Sequence, residues 1–481
     1  MKTHFFWLRS VAFSLALVSF SALSFAKDEP GDDLVQMVVG LLSDKDKDLR
    51  AVGLDQVRTE AKGAAATKQF AAQLPKLMPA AQAALLSALA DRGDAAARPA
   101  VLELLTASKD ESVRVAAIAA IGALGGADDL PVLLKSLAGG STVEKAAARA
   151  SLEKLRGEAV PGAIAAELKK SPPPLRVALI EILTSRRALE TVPSILPSAV
   201  DDDPAVRVAA MTALGQMAKA EHIPDMLSGV LKAMKGSERD AAETAVAFVC
   251  NRVIDPDTKF GRAGPVIAAI LKLQAVDSDN EATALIPALG RIGGPQALAE
   301  VKSYLANLQS RNKWAKSRAD AGLEAMCKWT DATVADELLA LAEKADNDAH
   351  RAMTFQALVR VGSMRDKRPD LARLDRMKQA MSIAKSPEEK TLVIKGCRAA
   401  YVVESLRYVL PYLDQPQFAQ IACETVVELA HHRELREPNK TEFDPALDKV
   451  MKTSKDAVVV DRADRYKKGQ TWARPKPAEK P

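Results

Sequence analysis

Apolar and polar positions recur along the chain with a period of about 31 residues. In the two clearest copies, Val113-Arg114 and Val206-Arg207 are each followed by apolar residues at helical spacing, and the copies lie 93 residues apart, which is three periods. Weaker copies fall in register at Leu49-Arg50, Ala81-Gln82, Val143-Glu144 and Leu175-Arg176. A fixed period of this length predicts stacked supersecondary units rather than one closed domain.

The first part of each copy predicts an amphipathic helix. Asp110 precedes an apolar run and is suited to cap the first turn, and Asp203 is followed by Pro204 at the first helical position. Gly125 and Gly126 are expected to end the first of these helices in the left-handed conformation. The predicted core positions of that copy are Val113, Ala116, Ala117, Ala120, Ile121 and Leu124.

The second part of each copy predicts another helix. One starts near Asp129-Leu130-Pro131 and is expected to bury Val132, Leu133 and Leu137. Patterns typical of strands are almost absent, and only 4% of the residues are aromatic. The chain is therefore predicted to be all-α, a right-handed α-solenoid of stacked antiparallel helical hairpins.

The regularity of the pattern divides this predicted solenoid. Regular repeats are expected over residues 41–250, after an N-terminal linker or cap at 27–40. Less regular hairpins with longer turns are expected at 251–435. A C-terminal helix and a basic tail are expected within 436–481, and the tail is expected to be disordered after about Tyr466.

The segment from Asp203 to Gly215 resembles the short HEAT-like repeats named after phycobilisome lyases, whose pattern is Asp-Pro-x-Val-Arg-x-x-Ala-x-x-Ala-Leu-Gly. Asp110 to Gly125 is similar, and the resemblance extends over residues 40–360 before it fades towards 435. It implies an armadillo-like superhelix in which the signature residues tie neighbouring repeats together. The positions that carry this implied structural ladder are Asp110, Arg114, Asp203 and Arg207. The Val143-Glu144 copy lacks the arginine, so the resemblance implies a break in the ladder there.

Residues 1–26 have the pattern of a secretory signal peptide. Lys2 and Arg9 precede an apolar stretch, and Ser24-Phe25-Ala26 predicts cleavage after Ala26. A membrane anchor is the alternative, but the apolar stretch is short for a span. The mature chain is therefore expected to be periplasmic or secreted, without a membrane span.

Charge is unevenly distributed along the chain, which has 67 basic and 62 acidic residues. Residues 449–481 carry ten Lys and Arg against four Asp and Glu, and residues 351–378 carry eight against three. Within the second stretch, the candidate contact residues for an acidic surface or anionic polymer are Arg365, Lys367, Arg368 and Arg373. A solvated loop and tail is the alternative interpretation. Nucleic acid is not an expected partner, because the basic residues are not interleaved with stacking aromatic residues.

Candidate chemistry is sparse. Some HEAT-like enzymes, the deoxyhypusine hydroxylases, hold iron with His-Glu dipeptides, and this chain has none. The chain also lacks nucleophile-elbow, P-loop and dinucleotide-binding motifs, so no enzyme activity, metal or cofactor is expected. Cys397 and Cys423 could form a disulfide in an oxidising compartment, or the four cysteines could all be buried thiols.

A run of tyrosines is the remaining candidate interface. Tyr401, Tyr408 and Tyr412 fall near one helical face, although Pro411 is expected to interrupt that helix. The sequence as a whole indicates an exported, non-catalytic HEAT-repeat scaffold for protein–protein interaction in the cell envelope. Two alternatives stay open: a HEAT-like enzyme or cofactor-binding protein of the lyase or hydroxylase type, and a binder of anionic envelope polymer.

Overall fold

The protein is described by a computed structural model over residues 32–345 and 347–472. The predicted signal peptide and the last nine residues of the tail lie outside this range. Within the range, the chain forms α-helices joined by short turns, many of them single 3-10 turns, and it contains no strand. The prediction of an all-α solenoid of helical hairpins is confirmed.

The described chain forms two compact units, one up to Val160 and one from Pro161 onward. The helices of the first unit are α1 (Asp32–Leu42), α2 (Lys47–Thr59), α3 (Ala64–Ala71), α4 (Pro79–Arg92), α5 (Arg98–Ala107), α6 (Glu111–Leu124), α7 (Leu130–Gly139) and α8 (Thr142–Lys154).

Helix α9 (Ala159–Glu167) begins at the end of the first unit. The second unit continues with α10 (Pro173–Ser185), α11 (Val192–Ile195), α12 (Pro204–Met217), α13 (Ile223–Lys232), α14 (Ser237–Val253), α15 (Gly264–Gln274), α16 (Asp279–Ile292), α17 (Pro295–Leu305), α18 (Lys313–Cys327), α19 (Ala335–Lys344), α20 (Asp348–Gly362), α21 (Asp370–Ile383), α22 (Pro387–Gly396), α23 (Val403–Val409), α24 (Ala419–His431), α25 (Arg433–Arg436), α26 (Lys440–Thr453) and α27 (Ala457–Lys467).

Two rows of helices build each unit. The even-numbered helices, here called the first helices because they carry the repeat signature, stack on one another: α2, α4, α6 and α8 in the first unit, and α10 to α24 in the second. The odd-numbered second helices form the other row, and most pack against the first helix that follows them. The core lies between the rows and is made largely of leucine, isoleucine, valine and alanine.

The predicted helix caps form as expected. The Asp110 carboxylate accepts hydrogen bonds from Ser112 N (2.9 Å) and Val113 N (3.3 Å), and Asp203 caps α12 in the same way with Pro204 at the first position. Helix α7 begins at Leu130, close to the predicted start. Of the predicted core positions, Ala116, Val132 and Leu137 are only half-buried, and the rest are buried.

Gly125 ends α6 as predicted, but the left-handed conformation expected there is not found. Gly125 has φ −89°, and Gly126 has φ −147°, so neither position requires glycine for its dihedral angles. Glycine is needed at position 125 for space instead. A Cβ there would lie 2.4 Å from Asp129 Oδ2, because that carboxylate turns back to accept a hydrogen bond from Gly126 N at 3.0 Å.

Both ends of the described chain contain more packed helix than the sequence suggested. Residues 32–40 of the expected linker or cap form most of α1 (Asp32–Leu42), which buries Val35, Val38 and Leu42. At the other end α26 and α27 pack together and against α24, and Tyr466 is 2% exposed. Val459, Ala463 and Tyr466 bury one face of α27, which ends at Lys467. Most of the tail that is expected to be disordered after about Tyr466 lies outside the described residues. No helix in the described ranges is long and apolar enough to cross a membrane.

Candidate functional site

An arginine near the start of several first helices reaches the next first helix along the row. Arg114 donates to Glu144 (2.5 Å), Arg207 to Glu238 (2.7 Å), and Arg351 to Glu389 (3.0 Å). Arg114 and Arg207 also donate to carbonyls of the turns before their own helices, Ser108 O and Asp201 O. Arg351 donates to Ala342 O in the last turn of α19, the helix before its own. The arginines therefore join the start of one repeat to the next repeat, 30, 31 and 38 residues further on.

The two signature aspartates do not take part in these bridges. Asp110 and Asp203 bond the backbone of their own helices, so the bridge to the next repeat is made by arginine alone. Glu144, in the copy that lacks the arginine, is the acceptor for Arg114 and also closes a capping box with Ser141. Glu144 therefore ends one bridge and begins none.

The acceptor carboxylates titrate at lower pH than usual. Hydrogen bonds from Ser141 N and Arg114 lower the pKa of Glu144 from 4.5, and the bond from Arg207 lowers the pKa of Glu238. Burial alone would raise the pKa of Glu389, but bonds from Lys385 N and Arg351 outweigh it and lower the pKa. Since the folded pKa values lie below the unfolded ones, these groups stabilise the fold above about pH 4.5.

Acid should therefore weaken the array in a defined window. As the pH falls below about 4.5 and through the lowered pKa values, the stabilisation by Glu144, Glu238 and Glu389 is lost. We expect the urea midpoint to fall between about pH 5 and pH 3. In Glu238→Gln, the midpoint should be lower at pH 7 and change less with pH. An unchanged pH dependence in this variant would show that the bridge is not the cause.

A second set of arginines, not recognised in the sequence, lies at the opposite ends of the first helices. Arg92 donates to Val57 O (2.7 Å). Arg252 donates to Gly215 O (2.8 Å) and Ala218 O (2.7 Å). Arg360 donates to Cys327 O (2.7 Å) and Trp329 O (2.9 Å). Each guanidinium satisfies carbonyls left free at the C-terminus of the preceding first helix. The sequence signal that could have found them is a basic residue in the last turn of these helices.

The predicted tyrosine stripe is split in two. Tyr401 lies in the turn before α23 and packs on His432, with 3.8 Å between ring centroids and the ring planes tilted by 40°. The Arg365 guanidinium covers the Tyr401 ring at 5.3 Å. Tyr408 packs edge-on against Tyr412, which packs in turn against buried Phe418. The helix ends at Val409 and a 3-10 turn follows, so the three tyrosines do not share one helical face.

The candidate basic residues also divide. Arg365, Lys367 and Arg368 lie on the loop between α20 and α21, and Arg368 is bonded to Asp366 at 2.8 Å. Burial alone would raise the pKa of Asp366, but hydrogen bonds from Arg368 and Arg376 lower it to about 2. Arg373 is buried, with bonds to Ala399 O (2.5 Å) and Asp370, so it does not serve as a surface contact.

A groove crosses the exposed faces of four successive first helices in the second unit. This α14–α20 groove has a volume of about 850 Å³. Its floor includes Ala284, Ala321 and Ala357, one from each of α16, α18 and α20. Side chains able to form hydrogen bonds flank this floor, namely Asn280, Thr283, Ser317 and Gln356.

Helix α16 offers polar groups to the α14–α20 groove. Pro287 lies inside this helix and has no N–H to donate to the carbonyl of Thr283, four residues earlier. The Thr283 hydroxyl has no hydrogen-bond partner among the described residues. Both Thr283 and Pro287 line the groove. The Thr283 hydroxyl is buried, so the polar side chains that the groove exposes are those of Asn280, Ser317 and Gln356.

A network of ion pairs closes one side of the groove. Lys328 donates to Asp240 (2.8 Å), Glu243 (2.8 Å) and Glu324 (2.6 Å). Arg291 donates to Asp240 (2.7 Å) and Glu243 (3.0 Å), and the Glu243 side chain is only 1% exposed. The network joins α14 to the end of α18 directly, although α16 lies between them in the row, and thereby fixes the relative position of three helices.

The titration behaviour of the network fits a structural role. Burial alone would lower the pKa of Lys328, but its carboxylate partners, Glu243 first, raise it. Asp240 shows the reverse balance: burial alone would raise its pKa, but Lys328 and Arg291 lower it. Burial also raises the pKa of the groove thiol, Cys327, to about 12, so this sulfur is protonated at neutral pH. The four cysteines are free, including Cys397 and Cys423. No group of His, Cys, Asp and Glu in the described ranges is arranged to hold a metal ion.

Comparison with solved structures finds similar chains of about 10% identity. Kap121p bound to Nup53p has a TM-score of 0.46 at 11% identity, covering 87% of this chain and 53% of that one. Kap121p bound to the extreme C-terminus of the protein phosphatase Cdc14p has a TM-score of 0.47 at 11% identity, with 88% and 54% covered. Importin beta has a TM-score of 0.33 at 11% identity, with 90% and 72% covered. The chain spans about half the length of the Kap121p chains.

Comparison with protein families gives a direct assignment of the repeats. No curated protein sequence matches the chain. The HEAT repeats match it in two adjacent regions, residues 67–153 and 161–247. Those regions contain the two strongest copies of the sequence signature, together with the Arg114–Glu144 and Arg207–Glu238 bridges. Residues 67–153 and 161–247 are therefore HEAT repeats.

Proposed function

We propose that this protein is a non-catalytic scaffold that binds an extended segment of a partner protein in the α14–α20 groove. The observation that carries the proposal is the groove itself, which crosses four first helices and has a volume of about 850 Å³. Neighbouring helices pack about 10 Å apart, so the groove extends for roughly 30 Å. A peptide in the extended conformation rises about 3.3 Å per residue, and about nine residues would fill that length.

The lining supports recognition of a peptide backbone. Ala284, Ala321 and Ala357 are small, so a main chain can approach the helices closely. Asn280, Ser317 and Gln356 are exposed and can exchange hydrogen bonds with peptide N–H and C=O groups along the segment. Binding would combine many modest contacts, with a few side chains of the partner dominating the affinity.

The ion-pair network supports rigid presentation of this surface. Lys328 and Arg291 hold α14, α16 and α18 together through Asp240 and Glu243, so the groove is formed before a partner arrives. A preformed site loses less conformational entropy on binding than a mobile one. The carboxylates and cations of the network are already paired, and the Cys327 thiol is protonated, which favours binding over chemistry at this site.

We also propose that the protein acts in the cell envelope after export. The support is the sequence of residues 1–26, with a basic start, an apolar stretch and small residues before Lys27. N-terminal sequencing of the protein purified from its own source should begin at Lys27. An N-terminus that retains residues 1–26 would contradict export by this route.

Peptide binding can be tested before the partner is identified. Peptides of about 15 residues would be selected from a display library on the purified protein, and their affinities measured by fluorescence anisotropy. Ser317 lines the groove at its surface, so Ser317→Trp should fill the groove and weaken binding at least about tenfold. Ser303→Trp is the matched control, because Ser303 is exposed on α17 outside the groove. Equal affinities in the two variants, or no selected peptide, would contradict the proposal.

A further inference from the structure

The arginine bridge is missing its acceptor at one place in the first unit. Arg50 stands at the same position in α2 as Arg114 in α6 and Arg207 in α12, four residues after the capping aspartate. Like them, it donates to the turn before its own helix, to Asp44 O and Lys45 O at 2.8 Å each. The next first helix, α4, has no acidic residue in its first turn. Among the described residues, no carboxylate pairs with Arg50.

The missing carboxylate coincides with an open groove. The gap between α2 and α4, here called the α2–α4 groove, has a volume of about 490 Å³ and is lined by Arg50, Leu54, Met78 and Ala81, among others. At the corresponding place between α12 and α14, Arg207 pairs with Glu238. The volume open to a water molecule in that gap is about 0 Å³. The gap is closed between α12 and α14, where the bridge is complete, and open between α2 and α4, where the acceptor is missing.

The lining of the α2–α4 groove is basic and apolar, and it therefore suits an anionic, partly apolar ligand. Lys47, Arg50 and Lys76 line it against the single acid Asp44, whose carboxylate accepts a hydrogen bond from Asp46 N at 2.8 Å. Leu54 and Met78 supply apolar surface, and Met78 is 77% exposed. An exposed methionine beside leucine and alanine side chains favours contact with an apolar residue of a partner.

We propose that the α2–α4 groove binds a segment of a partner protein in which an Asp or Glu stands next to an apolar residue. The carboxylate pairs with Arg50 in the way that Glu144 pairs with Arg114, and the apolar side chain packs on Leu54 and Met78. A protein carboxylate is the fitting occupant, because the same guanidinium position is filled by one in three other repeats. This site lies in the first unit and is independent of the α14–α20 groove.

A substitution that restores the bridge provides the test. Ala81→Glu places a carboxylate in the first turn of α4, where it should pair with Arg50 and block the groove. The display selection should yield peptides with the Asp/Glu-apolar pattern. We expect these peptides to bind the Ala81→Glu and Arg50→Gln variants at least about tenfold more weakly than they bind the wild type. Ser87→Glu adds the same charge to an exposed position of α4 outside the groove, and its affinity should stay within about twofold of wild type.

Each arm of this test has a defined meaning. In the peptide itself, replacing the acid by its amide should give the same loss, and added salt should weaken binding. Binding that is lost in Ser317→Trp but kept in Arg50→Gln and Ala81→Glu would overturn the inference and support the α14–α20 groove alone. Retained binding of the amide peptide would overturn it as well. Self-association of the wild type that Ala81→Glu abolishes would assign the groove to a second copy of this chain, against the proposal.

Discussion

Gly290→Ala is expected to lower the free energy of unfolding by about 3 kcal/mol, at the upper end of overpacking costs. A Cβ at Gly290 would lie 1.8 Å from Ala325 O and 2.6 Å from Ala325 C, both backbone atoms of α18. A flexible side chain could move aside, but a packed helix backbone cannot. The substitution must therefore separate α16 from α18, which also carry the floor and part of the ion-pair network of the α14–α20 groove.

Urea unfolding followed by circular dichroism would measure this loss. Gly162→Ala is the matched control, since Gly162 also lies inside a helix, and a Cβ added there would have no other atom within 4 Å. Alanine has the higher helix propensity, so this control should be stabilised by up to about 1 kcal/mol. Changes in the free energy of unfolding that have opposite signs in the two variants would establish close contact between α16 and α18. Equal stability of the two variants would contradict the packing described here.

Glu243→Ala should also cost about 3 kcal/mol of stability, for an electrostatic reason. Glu243 is almost fully buried and accepts bonds from Lys328 and Arg291, so its removal leaves two cations close together with fewer partners. Loss of one partner from a buried ionic group costs far more than loss of an exposed pair. Because the network joins α14 to α18, we also expect the variant to lose affinity for peptides bound in the α14–α20 groove.

The matched control is Glu337→Ala. Glu337 pairs with Lys302 between α19 and α17 at 2.6 Å, but the Lys302 side chain is half exposed. Its removal should change the free energy of unfolding by less than about 1 kcal/mol. If Glu243→Ala were as mild as this control in urea unfolding, the network would not be holding the three helices together.

The repeat architecture was readable from the sequence because its determinants are local. Asp110, Asp203 and Pro204 act on their own helix turns, and the alanine-rich apolar face repeats at helical spacing. The same locality explains the errors. Gly125 is expected from the sequence to be a left-handed cap, but glycine is required there because a Cβ would clash with the Asp129 carboxylate. The rules for helix ends do not include such a contact.

The candidate site was not readable in the same way. Lys328 and Glu243 are 85 residues apart in sequence. Pro287 and Thr283 line the groove only because α16 packs between α14 and α18. Arg373 and Tyr401 appeared equivalent to their neighbours in composition, yet one is buried and the other packs on His432. Periodicity placed Arg50, Arg114 and Arg207 but not Arg351, and only the packed array shows that Arg50 lacks a partner.

Site-specific photocross-linking in the cells of origin tests the scaffold account most directly. A photoreactive amino acid would replace Gln356, which is exposed in the α14–α20 groove, and separately Asn307, which is exposed outside it. The account predicts a discrete protein adduct from position 356 that Ser317→Trp abolishes, and none from position 307. Adducts of equal yield at both positions, or no adduct from position 356, would contradict binding of a partner protein in this groove.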